Sequence, residues 1–358
     1  MNIKEVIQEF VAEKGLDSQV LISIAAEGVL AAYQKKYPHF VLRTRVDEKE
    51  SFFVEIEKKV VARPTDNEQE ISLTKAKNIN KDSAVDETIW VPFDGKIGRV
   101  EILKARQVIA QRIREIESKQ LYEAFKSKEG EIVVGVVQKH ERMGVVVAIG
   151  EAQAFLPKTN AIPGENLVVG FTIRALLNEV LQEPVDDHQL ILDRSSAPFV
   201  QRLFELEIPE VFEKIVEIKH IVRVAGYRTK IVVTSRDRNI DPVGTCVGVA
   251  GSRIKPILHE LHGEKIDVIG WSESLEIRVK NALKPAVIDR IELSPDEQTA
   301  YVWLSEDQRA IAIGKGGRNI ALVAQLTGVN VQLMMSDASQ EEPAQENENQ
   351  ESESDTAE

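Results

Sequence analysis

Gly248-Val249-Ala250-Gly251 and Gly314-Lys315-Gly316-Gly317 are the residues of this chain whose types and spacing point most directly to chemistry, and they lie 66 residues apart. A Gly-x-x-Gly turn between two helices has no Cβ at either end, so another backbone can approach it closely. The N–H groups that open the following helix then favour an anion. The flanks repeat too. Val247 and Ile313 precede the loops, and Ile254 and Ile320 stand six positions after each first glycine. Gly263 and Gly328 end the following helices at offsets of 15 and 14. Alternation follows at Ile266 and Val268, and again at Val331 and Leu333. The apolar period therefore changes from helical to two-residue at matching places. Unrelated glycine caps would not share a downstream strand register. The pattern is an internal repeat with one residue of slippage.

Other chemistries fail on spacing. A nucleotide P-loop needs Gly-Lys followed by Ser or Thr, and Lys315 is followed by Gly316. A GxGxxG fingerprint needs glycine where Asn319 stands. His259 and His262 are three apart rather than the four that a zinc helix uses. They are expected on a helix surface or beside the ligand. No nucleophile elbow surrounds Ser252, and the lone Cys246 reads as a small buried residue. No cofactor or metal set emerges, and the chain is expected to bind rather than catalyse. An RNA-processing enzyme remains the alternative; it needs a catalytic constellation in residues 1–127, where none is evident.

The elements that hold these loops form a multidomain α+β chain. Residues 1–37 read as helical, with a break at Gly15, a cap at Asp17 and the basic pair Lys35-Lys36 at the end. Alternation over 40–60 around Asp47-Glu48-Lys49-Glu50 predicts a hairpin. Residues 61–93 are polar and end in a short strand near 88–91. A long helix over 96–126 takes Val100, Leu103, Val108, Ile109, Ile113 and Ile116 as its buried side. Its cations are Lys104, Arg106, Arg112 and Arg114. Five short strands, at 132–138, 144–149, 152–156, 171–178 and 189–192, predict an OB-fold β-barrel. Its candidate RNA residues are His140, Arg142 and Phe155, and Phe155 is equally well suited to the core. Helix, hairpin, helix pair and strand then recur twice around the glycine loops, the order of a type II KH module that clamps single-stranded RNA. The candidate RNA-binding residues are Gly248, Val249, Ala250, Gly251, Arg253, Ile254 and Lys255 in the first copy. In the second they are Gly314, Lys315, Gly316, Gly317, Arg318 and Ile320. Ile254 and Ile320 are expected to line the groove that receives bases.

Composition agrees with such a partner once charge is located. The net charge is −13 over 358 residues, but nine acids and no Lys or Arg lie after Met335, so the rest carries only −4. Local basic patches decide phosphate affinity. Aromatic residues are 5%, which makes stacking surface sparse. One cysteine excludes an internal disulfide, and no apolar run approaches a membrane span. A cytoplasmic protein is expected, with nothing that demands a dimer. The expected division is 1–127, 128–196, 197–281, 282–335 and a disordered acidic tail at 336–358.

Specific stretches resemble the NusA family of bacterial transcription factors. They are Asp241-Pro242-Val243-Gly244, Gly263-Glu264-Lys265-Ile266-Asp267-Val268 with Trp271-Ser272, and Ala310-Ile311-Ala312-Ile313 before the second loop. Ala105-Arg106-Gln107-Val108-Ile109 is similar to the family's connecting helix. Ala154-Phe155-Leu156-Pro157 and Ile162-Pro163-Gly164-Glu165 are similar to its barrel. The resemblance covers residues 1–335. It implies an N-terminal domain that binds RNA polymerase near the RNA exit channel, and a barrel and KH pair that bind nascent single-stranded RNA. It further implies pausing, hairpin-dependent termination and antitermination alongside other antitermination factors. On that basis Lys35, Lys36, Lys104, Arg106, Arg112 and Arg114 lie near polymerase or exiting RNA; spacing alone gives basic helices. The chain departs from the family where Val249-Ala250 stands in place of a frequent basic residue, and in having a short acidic tail rather than helical acidic repeats. A ribosome-associated KH/OB protein stays open from spacing alone. The tail is expected to compete weakly with RNA. Deleting 336–358 should raise affinity for single-stranded RNA at low salt, read by fluorescence anisotropy.

Overall fold

The computed structural model describes residues 18–47, 51–294 and 298–336. The expected break at Gly15, the cap at Asp17, the charges Glu48-Lys49-Glu50 and the acidic residues 337–358 lie outside them. The described residues form two compact units, one of the residues from Ser18 to Phe125 with Gln182–Pro184, the other of the remaining described residues.

In the first unit, α1 (Ser18–Lys36) is followed by β1 (Leu42–Val46), β2 (Phe52–Val61), β3 (Glu70–Ser72), α2 (Leu73–Ile79), β4 (Thr88–Pro92) and α3 (Arg99–Phe125). β1 and β2 are the expected antiparallel hairpin, with Leu42 opposite Ile56. β2 also pairs with β3 and β4. β3 and α2 were hidden in the polar stretch. Leu21 and Ile24 of α1 pack on Ile109 and Ile113 of α3. The helices close at Gly28, where a Cβ would come 2.4 Å from Ile109 Cγ1. The buried stripe of α3 is Ala105, Ile109 and Ile113. Val100 and Leu103 are 59% and 65% exposed, against expectation. At about 100° per residue they lie on the side of α3 away from that stripe.

The second unit begins with a closed barrel of β5 (Ile132–His140), β6 (Gly144–Ile149), β7 (Ala152–Pro157), β8 (Thr172–Val185) and β9 (His188–Asp193). All five expected strands are present. Alternation puts Val137, Val147, Leu156, Leu177 and Leu190 inside.

Two modules of like order come next. The first has α4 (Ala197–Glu207), the short α5 (Pro209–Phe212), β10 (Val216–Val224), β11 (Arg228–Ser235), α6 (Pro242–Val247), α7 (Ile254–Glu260) and β12 (Lys265–Gly270). The second has α8 (Leu275–Leu283), β13 (Arg290–Ser294), β14 (Thr299–Leu304), α9 (Glu306–Ile313), α10 (Arg318–Thr327) and β15 (Asn330–Met335). β12 runs parallel to β11, and β15 parallel to β14. Ser196 caps α4 by accepting the Phe199 N–H, and Pro198 occupies the first turn, where a missing N–H costs nothing. α8 buries Val279, Ala282 and Leu283 with the second sheet. The division drawn after residue 281 therefore falls inside a helix that belongs to the second module's core.

The first module's sheet is covered on both faces. Val216, Ile231 and Val233 pack on α4 and α7. Val222, Val232 and Ile269 join the second module's core with Ala300, Val302 and Leu322. This is why β11 is an unbroken apolar run, Ile231-Val232-Val233, rather than an alternating one. Lys230 is buried in the same contact. Its Nζ donates to Asp267 at 2.6 Å and to the Ala282 carbonyl at 2.8 Å, near the C-terminal end of α8. Burial lowers its pKa, while Asp267 acts in the opposite sense. Removing Asp267 strands a buried cation, so Asp267→Ala should cost about 3 kcal/mol or more. Lys230→Met leaves Asp267 held by Arg228 at 2.7 and 3.0 Å and should cost clearly less. Urea unfolding of the full chain checks the order.

Candidate nucleic-acid interface

The two glycine loops share one backbone shape. Gly248 has φ 73° and ψ 169°, and Gly314 has φ 70° and ψ 177°. At the third position Ala250 has φ 51° and ψ 28°, and Gly316 has φ 61° and ψ 30°. Gly251 and Gly317 follow at φ 76° and 73°. A Cβ at Gly248 would meet Ser252 Oγ at 2.8 Å; at Gly314 it would meet Asn319 Cβ at 2.6 Å. Glycine is thus required at the first position of both loops. Ala250 holds the left-handed conformation with a Cβ, at a cost of roughly 1 kcal/mol.

Each loop leaves backbone donors available. The N–H groups of Val249, Ala250 and Gly316 have no partner among the described residues, and Val249 is 90% exposed at the loop tip. The Lys315 N–H donates to Tyr227 Oη at 3.3 Å. Phosphate oxygens fit such donors at the start of a helix. α10, which follows the second loop, is long enough for its dipole to contribute.

The side chains at the two loops diverge. Arg253, expected to help hold phosphate, is committed elsewhere. Its Nη1 and Nη2 groups donate to Glu210 at 2.9 and 3.0 Å, and Nη1 also donates to the Thr245 carbonyl at 3.0 Å. Burial acts upward on the Glu210 carboxyl, but its own backbone N–H and Arg253 outweigh it and hold the group below its ordinary value. The matching residue in the second copy is Asn319, fully buried, whose amide donates to the Ala312 carbonyl at 2.9 Å. Arg253 and Asn319 thus do one job with different chemistry: each satisfies a carbonyl at the C-terminal end of the helix before its loop. Sequence reading missed Asn319, since only the neighbouring copy reveals its role.

Ile254 is also corrected. It is buried in the first module's core with Ile257 and Leu261 and anchors α7 instead of lining an open groove. Ile320 is half-buried against the second core. Lys255 is exposed, its stem beside Gly251. Lys315 and Arg318 are exposed, with no acidic partner among the described residues. Arg318 lies over the Tyr227 ring, 5.5 Å from its centroid. Cys246 is buried below the first loop, and burial pushes its thiol up to about 12.

On the barrel, His140 and Arg142 are exposed around the β5–β6 turn. Phe155 is not a surface stacker. It is buried, with the His188 ring stacked on it at 4.1 Å. His188 also meets Glu141 at 3.1 Å. Lys139 first, then His188, holds the Glu141 carboxyl below its ordinary value. The exposed barrel aromatic is Phe171, 63% accessible, which alternation marks only as a strand start. A further cluster joins the modules: Arg278 lies over Trp271 at 4.8 Å, and His220 is 5.8 Å from the same ring.

In the first unit, Arg112 is tied to Glu27 at 2.8 Å and Glu115 at 2.7 Å. Lys36 donates to the Lys96 carbonyl. Lys104 reaches Gln107 at 3.5 Å. Lys35, Arg106 and Arg114 are exposed without an ion-pair partner among the described residues. Of the six expected contact cations, Arg112 is the one paired with carboxylates among the described residues.

Comparing Lys315 with Arg253 tests this assignment. Lys315→Met should lower the slope of log affinity against log salt for single-stranded RNA by about 0.7. Arg253→Met should leave the slope unchanged and lower stability by about 1 kcal/mol, through its lost hydrogen bonds. Titrations at several salt concentrations, with thermal melts, separate the two.

The sequence is matched by known families and proteins. Residues 2–119 match the NusA N-terminal domain, 194–271 the NusA-like first KH domain and 275–341 the NusA-like second KH domain. The transcription termination/antitermination protein NusA of Halalkalibacterium halodurans is 35% identical over 333 residues, 92% of this chain and 87% of that protein. NusA of Rickettsia conorii is 36% identical over 93% of this chain and 67% of its own length. NusA of Thermus thermophilus is 32% identical over 91% and 88%. With three domain matches in order and relatives of this identity over nearly its whole length, the chain belongs to the NusA family.

Proposed function

We propose that this protein is a cytoplasmic transcription elongation factor that acts by binding, without chemistry of its own. Residues 1–127 engage RNA polymerase, and the barrel and KH modules engage nascent single-stranded RNA. The outcome is modulation of pausing, intrinsic termination and antitermination, with other antitermination factors joining the complex. The observation that carries the reading is the shared backbone geometry of the two glycine loops, where the N–H groups of Val249, Ala250 and Gly316 have no partner among the described residues. Family membership supports the same direction, because the relatives bear the name of a termination and antitermination protein.

Within this reading Lys315, Arg318 and the loop amides hold phosphates, with Lys255 assisting at the first loop. His140 and Arg142 extend the path over the barrel. Lys35, Arg106 and Arg114 are the cations offered to polymerase or exiting RNA. Weak contacts at each module suffice, because anchoring on polymerase raises the effective concentration of transcript.

The test uses purified bacterial RNA polymerase elongating through a hairpin-dependent pause and an intrinsic terminator. The full chain should lengthen the pause and change terminator read-through, and residues 1–127 should co-purify with polymerase. A full chain that neither binds polymerase nor alters either event removes the transcriptional reading, and the ribosome becomes the partner to examine.

A further inference from the structure

We propose that Tyr227, carried by the first KH module, is a positioning residue for the phosphate loop of the second; this rests on the RNA-binding reading above. Its hydroxyl oxygen accepts the Lys315 N–H at 3.3 Å, and its ring carries the Arg318 guanidinium at 5.5 Å. The same oxygen lies 2.8 Å from where a Cβ on Gly314 would stand. One side chain therefore touches three features of the second loop: its first glycine, its lysine amide and its arginine.

Tyr227 stands on a stiff base. It belongs to the turn between β10 and β11, where its N–H donates to the Val224 carbonyl and its carbonyl accepts from Lys265. The adjacent Gly226 N–H donates to Glu264 at 2.9 Å, and Glu264 is paired with Arg223 in a site where both side chains are essentially fully buried. A ring fixed in this way limits the rotamers of Arg318, which has no acidic partner among the described residues. Holding a planar, weakly hydrated guanidinium on an aromatic face lowers the entropy lost when it binds a phosphodiester. The first loop has no such device, since Ser252 occupies the position of Arg318. The tyrosine hydroxyl keeps its own proton to donate, which allows it to bridge from the Lys315 amide to a ligand oxygen.

The experiment is a double-mutant cycle on the full chain, titrated with a fluorescent single-stranded RNA oligonucleotide. Tyr227→Ala and Arg318→Ala should each weaken binding about fivefold, and the double variant by little more than either alone, because the two act as a unit. Tyr227→Phe keeps the stack, loses the hydroxyl, and should fall between wild type and Tyr227→Ala. Thermal melts establish that each variant is folded; Tyr227→Leu, which keeps bulk, replaces alanine in the cycle if that variant unfolds. Losses that multiply, or a Tyr227→Ala affinity equal to wild type, overturn the proposal. Gly316→Asp with Gly317→Asp serves as the control. If it weakens RNA binding while Tyr227→Ala does not, only the tyrosine's role falls. If it leaves binding unchanged, the loop assignment beneath the proposal falls as well.

Discussion

Two buried arginines fix the geometry of the second unit. Arg194, directly after β9, and Arg223, on β10, lie 5.3 and 5.9 Å from the ring centre of Phe199. Arg194 donates to Glu165 at 2.9 Å, to Glu260 at 2.7 Å and to the Arg174 carbonyl. Arg223 grips Glu264 with two nitrogens and gives its remaining donor to the carbonyls of Arg194 and Ser196. A guanidinium taken out of water is tolerated only when nearly all its donors are met. Here the acceptors come from the barrel loop at Glu165, the end of α7 at Glu260 and the residue before β12 at Glu264. Displacing the barrel from the first module would break several of these bonds at once. The network thus specifies one arrangement more than it adds net stability.

The contact between the two modules follows different physics. It is mainly apolar, with one sheet serving two cores and Lys230 as its buried charge. A sheet covered on both faces cannot bend independently toward either side, so the second module is set by the strands of the first. The arginine network holds the barrel to those same strands through Arg223 and Glu264. Barrel, first module and second module are therefore aligned through β10–β12, and the spacing of the two glycine loops is fixed before any ligand arrives. That preorganisation matters for the proposed partner, single-stranded RNA, whose ordering entropy already opposes binding.

The loops, the barrel strands and the order of both modules were legible in the sequence, because each rests on local rules: glycine where φ is positive, alternation where one face is buried, a change of period at a strand. What escaped depends on elements distant in the chain. Arg253 has the type and place of a phosphate ligand, but its acceptor Glu210 is 43 residues earlier. Phe155 alternates correctly for either face of a barrel wall, and only the position of His188 shows which one it took. Val100 and Leu103 belong to an apolar pattern whose stripe is set by where α1 lies. Tyr227 sits in a turn, and periodicity within one module cannot show what that turn meets in the next.

The two loops have one backbone and different charges, and this difference bears on how the proposed RNA contact is shared. The first loop offers amides and an exposed valine, with its arginine turned inward to Glu210. The second offers amides with Lys315 and Arg318 beside them. Amide donors contribute little to counterion release, whereas each lysine or arginine on a phosphate adds to it. Capture of a strand at low salt therefore falls to the second loop, while the first adds contacts that depend on geometry more than on charge. Because β10–β12 hold the loops at a fixed separation, a strand caught by the second is presented to the first at high local concentration. In the proposed contact, rigid alignment lets a clamp with a single nearby cation, Lys255, take part in binding a polyanion.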